Sequence, residues 1–515
     1  MRATTAHRMR ITATALLIVL VWELAGRLGL VAGGALPAPT AIVAAWWENR
    51  SDYPPHVLAT TGVAAAGFAI GNLVAVALAV VGQLVPAIER LLRPTLVVLF
   101  CLPVVVAAPI LDIAFDGSWP AIALAVLLVF FPTYVATQVG LRSAPGEAVA
   151  VVRSAGGGAV RALVLVRLRA ALPEILSGLQ ISAPAAVLGA VLGEFLGGRW
   201  GLGIYLVGTM SRGDAAALWA IGLTATLLSA VLYGVVGIAR RFVRDGTEKL
   251  LTTDVHQGRR RGGRARTLGW TLGGITVLIV AWYGFIASTG LPTTLMNSPT
   301  DVLDSLFFSS RSELVRERLA AALVESAGPA SLGAVIGIVF AFVLAVAFST
   351  FPALHASVLP FAFISQTVPL VALAPLIALV SGRGPATIVA VTVSVTFFPS
   401  LVTIMQGLAA APAGPLLVMR SVDAGRLRTL GAVVVPNALP YLLASIRLAV
   451  PRALTGVLIA EQFITGTGLG RLLSESRGML DYRMMWLIAA VVAALSLALY
   501  GLAQAVEDGV MRRRR

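Results

Sequence analysis

Two glutamates in this 515-residue chain sit where a carboxylate is costly. Glu194 and Glu461 each close a long apolar run, and each is followed by a Gly-Leu-Gly: Gly201-Leu202-Gly203 in one case, Gly468-Leu469-Gly470 in the other. A carboxylate at that place must face a cavity, a partner or an interface. Two uses are open to it. It can shape the end of a polar pathway, or it can brace the turn that the small, flexible Gly201, Gly203, Gly468 and Gly470 permit. The brace is the simpler reading. Arg447 and Arg452 raise a second question of charge. They lie in an apolar segment whose earlier counterpart carries Gln180 and Ala185 instead. Two cations on one side of a pathway would attract an anion. Alternatively, Arg447 lies near the aqueous surface and snorkels toward it.

Other chemistries lack their residues. No G-x-x-x-x-G-K-[ST] loop occurs, and the single lysine, Lys249, follows Thr247 and Glu248. Nucleotide hydrolysis by this chain is therefore not expected. His7, His56, His256 and His355 are scattered and accompany one cysteine, Cys101, so neither a metal cluster nor an internal disulfide is expected. No Ser-His-Asp or G-x-S-x-G arrangement points to an enzyme.

The elements that position these residues come in two copies. Gly193–Tyr233 and Ala460–Tyr500 align without a gap. Glu194 matches Glu461, Asp214 matches Asp481, Trp219 matches Trp486 and Tyr233 matches Tyr500, all 267 positions apart. Pro132 and Pro399, Pro145 and Pro412, Arg153-Ser154 and Arg420-Ser421, Leu172-Pro173 and Leu439-Pro440, and Pro184 and Pro451 keep the same spacing. Pro86 and Pro94 match Pro352 and Pro360 at 266, and Trp22 matches Trp282 at 260. Random apolar helices share composition but not the spacing of rare residues, so the chain reads as a tandem duplication.

Composition says where the copies reside. The chain is 58% hydrophobic and 12% charged, against about 25% charged in soluble domains. An all-α membrane protein of about twelve spans is expected. Six are placed near Ile11–Leu30, Val57–Val81, Leu91–Ile110, Ala121–Val139, Ile175–Leu196 and Ala215–Ile238. Six more are placed near Thr267–Thr289, Ala327–Ser349, Leu354–Ile377, Ala386–Gln406, Tyr441–Phe463 and Met484–Val506. Pro94, Pro103 and Pro109 predict a broken or kinked third span. Ile11–Leu30 reads as a span rather than a cleaved leader, and Gly290–Arg318 as an outer loop. The boundaries expected are a first repeat over 1–239 (core about 57–239), a linker over 240–266 and a second repeat over 267–515 (core about 325–507). The linker carries nine basic residues against three acids. It belongs in the cytoplasm by the positive-inside rule, as do Leu141–Pro173 and both termini. The net charge of +15 is thereby placed in loops, and nucleic acid is not an expected partner.

Each half resembles the permease subunit of type I ATP-binding-cassette importers, in the branch handling sulfonates, taurine, nitrate and the pyrimidine precursor of thiamine. The resemblance rests on three features in order: a basic loop, the Leu-Pro that opens the next helix, and the Glu, Gly-Leu-Gly and Asp before the last span. It implies a coupling helix in each basic loop, at Arg153, Ser154, Ala155 and Gly156 and at Arg420, Ser421, Val422 and Asp423. Where the family has E-A-A-x-x-x-G, this chain reads Ala150–Gly156 and Leu417–Asp423; the acid is missing from both and the glycine survives only as Gly156. The alternative for these loops is ordinary basic surface. The resemblance further implies two copies of a cytoplasmic ATPase, a binding protein outside, surrounding lipid, and a plasma or inner membrane location. No cofactor would bind this chain; ATP would serve the partner. A small anionic or heterocyclic solute would pass between the halves. The competing reading is an ion-gradient-driven secondary transporter of major-facilitator type. Against it, the loop between the second and third spans offers only Glu89, Arg90 and Arg93.

Overall fold

The computed structural model describes residues 16–17, 19–30, 36–244, 264–351 and 370–513. Most of the linker, the first fifteen residues and most of the span expected at Leu354–Ile377 lie outside the described residues. Among the described residues all regular structure is helical. Runs of Ala, Leu and Val too apolar for water leave the helix as the open-chain fold that satisfies every backbone group internally.

The first half comprises α1 (Pro39–Glu48), α2 (Tyr53–Leu84), α3 (Pro86–Cys101), α4 (Val104–Ala114), α5 (Trp119–Arg142), α6 (Gly146–Ser154), α7 (Ala159–Ala162), α8 (Leu168–Gly197), α9 (Leu202–Arg212) and α10 (Ala215–Arg244). The second comprises α11 (Arg264–Thr289), α12 (Pro299–Leu303), α13 (Ser312–Thr350), α14 (Leu370–Ser381), α15 (Pro385–Ala409), α16 (Ala413–Ser421), α17 (Arg426–Thr429), α18 (Val435–Ala460), α19 (Gly468–Gly478) and α20 (Tyr482–Arg513). Nine helices among the described residues are long and apolar enough to cross a membrane. α3 and α4 meet the same length and hydropathy only when taken together, as a pair bent by 97°, the geometry of a broken span or a re-entrant loop. The bend falls at Pro103, which has no N–H to continue the ladder. The expected loop Gly290–Arg318 is partly helical instead: α12 lies within it, and α13 begins at Ser312. A helix is not obliged to stop where its apolar stretch does, because water satisfies its polar face beyond the bilayer.

In each half three helices form the packed centre, α2, α5 and α8 in the first and α13, α15 and α18 in the second. Asn72 ties the first set together, its Oδ1 accepting from Thr133 at 2.5 Å and Ser182 at 3.1 Å. Such bonds across helices replace the hydrophobic drive that lipid removes. The last long helix of each half packs on the short helix of the other, α10 on α14 and α20 on α4. α11 reaches back to α3, where Thr95 donates to the Gly274 carbonyl at 3.0 Å. The halves are thus interlocked.

Paired residues do paired jobs. Trp22 donates to the Pro37 carbonyl at 3.1 Å and lies 5.6 Å from Trp219. Trp282 donates to the Asn297 carbonyl at 3.2 Å and lies 5.3 Å from Trp486. Asp214 caps α10 by accepting from the Ala217 N–H at 3.0 Å, and Asp481 caps α20 by accepting from the Met484 N–H at 3.0 Å.

Candidate functional site

At the end of α8, Glu194 is buried. Its Oε2 accepts from the Thr60 hydroxyl at 2.8 Å and from the Gly203 N–H at 3.0 Å. The Leu202 N–H donates to Thr60 in turn at 2.8 Å. Glu461 repeats the arrangement with Ser326 at 2.8 Å and the Gly470 N–H at 3.0 Å, while the Leu469 N–H donates to Ser326 at 3.0 Å. Each carboxylate thus holds a Gly-Leu-Gly turn against α2 or α13. The first glycine is required twice over: Gly201 has φ +125° and Gly468 φ +55°. A Cβ at Gly201 would lie 2.1 Å from the Glu194 carboxyl carbon. The remaining N–H of each turn is met differently, by His56 Nδ1 at 3.2 Å for Gly201 and by Glu325 at 2.8 Å for Gly468. Thr60 and Ser326 escaped the sequence reading, although their 266-residue spacing and hydroxyls marked them.

The halves meet at this same end. The Phe195 and Phe463 rings, one from each half, lie edge to face at 4.8 Å. Arg477 in α19 crosses to the first half, pairing with Asp112 of α4 at 3.2 Å and donating to the Leu196 carbonyl. Val104, Val105, Leu192, Leu196, Val457 and Ile459 form one shared core beside them. None of these cross-half contacts was legible in the sequence, because no pattern in either half states what the other brings to it.

Arg447 is held by the last helix: it pairs with Glu507 at 3.0 Å and lies over the Tyr500 ring at 5.5 Å. The matching first-half positions make the equivalent contact with other residues, Arg240 donating to Gln180 at 3.2 Å. Its charge is thereby engaged in packing α18 on α20. Arg452 is partly buried in α18 and is not brought together with Arg447.

The two basic loops lie at the other end of α8 and α18. α6 and α16 end in the same turn. The Gly156 and Gly157 N–H groups donate to the Arg153 and Val152 carbonyls at 3.0 and 2.8 Å. Those of Asp423 and Ala424 donate to Arg420 and Met419 at 3.1 and 2.9 Å. This pair of bonds closes a helix C-terminus around one left-handed residue. Gly156 supplies it at φ +75° and Asp423 at φ +48°. Aspartate is among the few non-glycine residues that tolerate this region. The missing second glycine therefore does not cost the turn. Arg153, Ser154, Ala155, Arg420, Ser421 and Val422 are all exposed. So are the apolar Val151, Val160, Leu417, Val418 and Leu427.

The family model described as "Binding-protein-dependent transport system inner membrane component" matches residues 67–246 and, a second time, 333–512. The chain belongs to this family. It is similar to the formylaminopyrimidine transport permease protein ThiX of Halalkalibacterium halodurans, 30% identical over 226 residues that make up 44% of this chain and 88% of that one. It is similar to a probable ABC transporter permease protein of Haemophilus influenzae, 29% identical over 217 residues, or 42% of this chain and 89% of the relative. It is also similar to the putative aliphatic sulfonates transport permease protein SsuC of Bacillus subtilis, 29% identical over 239 residues, 45% and 83% of the two chains. Each relative corresponds to about half of the present chain. The protein is a tandem ATP-binding-cassette importer permease, and the facilitator reading falls.

Proposed function

We propose that the two halves enclose a path for one small solute, anionic or heterocyclic, and that a separate ATPase drives it. The Gly-Leu-Gly end faces outward and receives solute from a binding protein. The basic loops and both termini face the cytoplasm of a plasma or inner membrane. One ATPase subunit docks below each loop, so the complex holds two. The observation that carries this reading is the twice-repeated loop turn, which presents exposed apolar side chains beside Arg153 and Arg420. Apolar residues on a short helix in a charged loop fit a groove on a partner, the helix-in-groove mode. No residue of this chain hydrolyses ATP. The relatives' names supply the solute classes, aliphatic sulfonates and a formylated pyrimidine.

The test is affinity purification of the full chain from its own membranes. An ATP-hydrolysing subunit recovered at two per chain is the expected result. Val151→Asp together with Val418→Asp should lower that recovery at least tenfold while leaving the permease monodisperse. Substrate-coupled proton flux through the chain, with no ATPase recovered, would overturn the reading.

A further inference from the structure

Two short segments at the Gly-Leu-Gly end carry apolar side chains that neither half covers. In the first half, α1 buries Ile42 and Ala45 and exposes Val43, Trp46 and Trp47, the last at 61%. In the second, the stretch from α12 to Phe308 buries Val302 and Ser305 and exposes Leu303, Phe307 and Phe308, the last at 79%. The segments are counterparts: Pro39 and Pro299 open them 260 positions apart, the spacing of Trp22 and Trp282. Both fold back along the helix that precedes them. The Trp22 indole holds the Pro37 carbonyl and the Trp282 indole the Asn297 carbonyl. Thr40 gives its N–H and its hydroxyl to Glu23 at 3.1 and 2.6 Å, and the Tyr283 hydroxyl lies 3.1 Å from that of Thr300. Trp282 lies within the apolar stretch Leu272–Thr289 of α11, seven residues before its end, so the return covers about 10 Å. Ile42 then shares a core with Leu218 and Ile221, and Val302 shares one with Trp486 and Leu487, all in the membrane-crossing stretches of α10 and α20. The exposed faces therefore stand beside the ends of the spans, not above them.

Aromatic rings are favoured at the level of the lipid headgroups, and a short helix with one apolar face lies in that plane. Arg50 donates to the Trp47 carbonyl at 3.0 Å and stands over the Trp47 ring at 5.0 Å, while Arg316 donates to the Leu306 carbonyl at 2.8 Å. Both arginines are exposed, so each patch ends in a cation suited to a lipid phosphate. We infer that α1 and the stretch from α12 to Phe308 are paired interfacial anchors. Val43, Trp47, Leu303, Phe307 and Phe308 enter the headgroup–acyl boundary of the leaflet at the Gly-Leu-Gly end. A lipid surface fits these patches better than a soluble protein does, because each lies alongside membrane-crossing helices of its own half. Glu48 and Asp304 are exposed near the arginines, and this mixed charge asks for phospholipid in general rather than for an anionic one. The inference rests on the membrane family alone; it does not depend on which face is outside or on any ATPase.

Nitroxide labels provide the test. They are attached one at a time at Val43→Cys, Trp47→Cys, Phe307→Cys and Glu48→Cys in the full chain, whose own Cys101 is buried. Each labelled chain is reconstituted in phosphatidylcholine vesicles. Collisions with oxygen, which enters lipid, are compared with collisions with a water-soluble nickel chelate. The oxygen-to-nickel ratio should be at least about threefold higher at Val43→Cys, Trp47→Cys and Phe307→Cys than at Glu48→Cys, as side chains sunk about 5–10 Å into the boundary require. Ratios equal to that of Glu48→Cys would leave the patches in water, free for a soluble partner, and overturn the inference. Few collisions with either probe would mean that a second copy of the chain covers them, which overturns it too. A high ratio in one half only would sink the paired anchor. Val43→Cys keeps both tryptophans, so it decides for the first half even if Trp47→Cys does not fold.

Discussion

A buried carboxylate that accepts a hydroxyl and a backbone N–H through one oxygen is worth most when it is removed. Glu194→Ala would leave the Thr60 hydroxyl and the Gly203 N–H without their acceptor. Each unsatisfied buried donor costs about 1–3 kcal/mol. Thermal unfolding in detergent should therefore show a clear loss for Glu194→Ala and a matching one for Glu461→Ala, whose partners are Ser326 and Gly470. Unchanged midpoints in both would refute the brace. Thr60→Val and Ser326→Ala should reproduce part of the loss, since the Leu202 and Leu469 N–H groups also rely on those hydroxyls. At this scale the sequence was unusually readable. Glu, Asp and Trp are rare in apolar segments, so their fixed spacing marked positions with a polar task, and Asp214, Asp481, Trp22 and Trp282 each have one. Arg447 was harder to read, because Gln180–Arg240 and Arg447–Glu507 fill the same contact with different chemistry. A comparison of single positions sees a gained charge and misses the gained partner.

Among the elements, the cross-half contact at the Gly-Leu-Gly end is the one with a measurable opening. Arg477 and Asp112 are each about a third exposed, 36% and 35%. Pairs of that exposure contribute about 0.2–1 kcal/mol, so the pair biases closure by at most about fivefold. Replacing both Phe195 and Phe463 by cysteine provides the readout, since Cys101 is buried. A short thiol cross-linker should join them in the resting protein. Asp112→Asn should slow the joining by no more than about fivefold, and cross-linked protein should carry no solute. Free transport after cross-linking would show that this end does not gate. The long helices that hold these groups were legible from apolar length alone, and the break at Pro103 from proline chemistry. The start of α13 was not: Ser312–Arg318 is charged and reads as loop, yet it continues the helix. Hydropathy reports the lipid-buried part of a helix, not its ends.

For the whole molecule, the decisive quantity is sidedness. Two copies with the same number of spans and the same orientation must place equivalent loops on one face of the membrane, related by an axis along the membrane normal. The interlocking of α10 with α14 and of α20 with α4 agrees, since each contact is the other under exchange of the halves. The duplicated loops give the measurement. Arg153 and Arg420 are exposed, and among the described residues neither side chain makes a hydrogen bond or ion pair, so each tolerates replacement by cysteine. A membrane-impermeant maleimide should label both from the cytoplasmic side in inverted vesicles and neither in intact, right-side-out ones. Cysteine at Arg199 or Arg471, beside the Gly-Leu-Gly turns, should show the opposite preference. Labelling of Arg153→Cys and Arg420→Cys from opposite sides would mean that the copies are inverted. An ATPase pair could then not engage both loops at once, and the geometry of two engines under one gate would have no surface to act on.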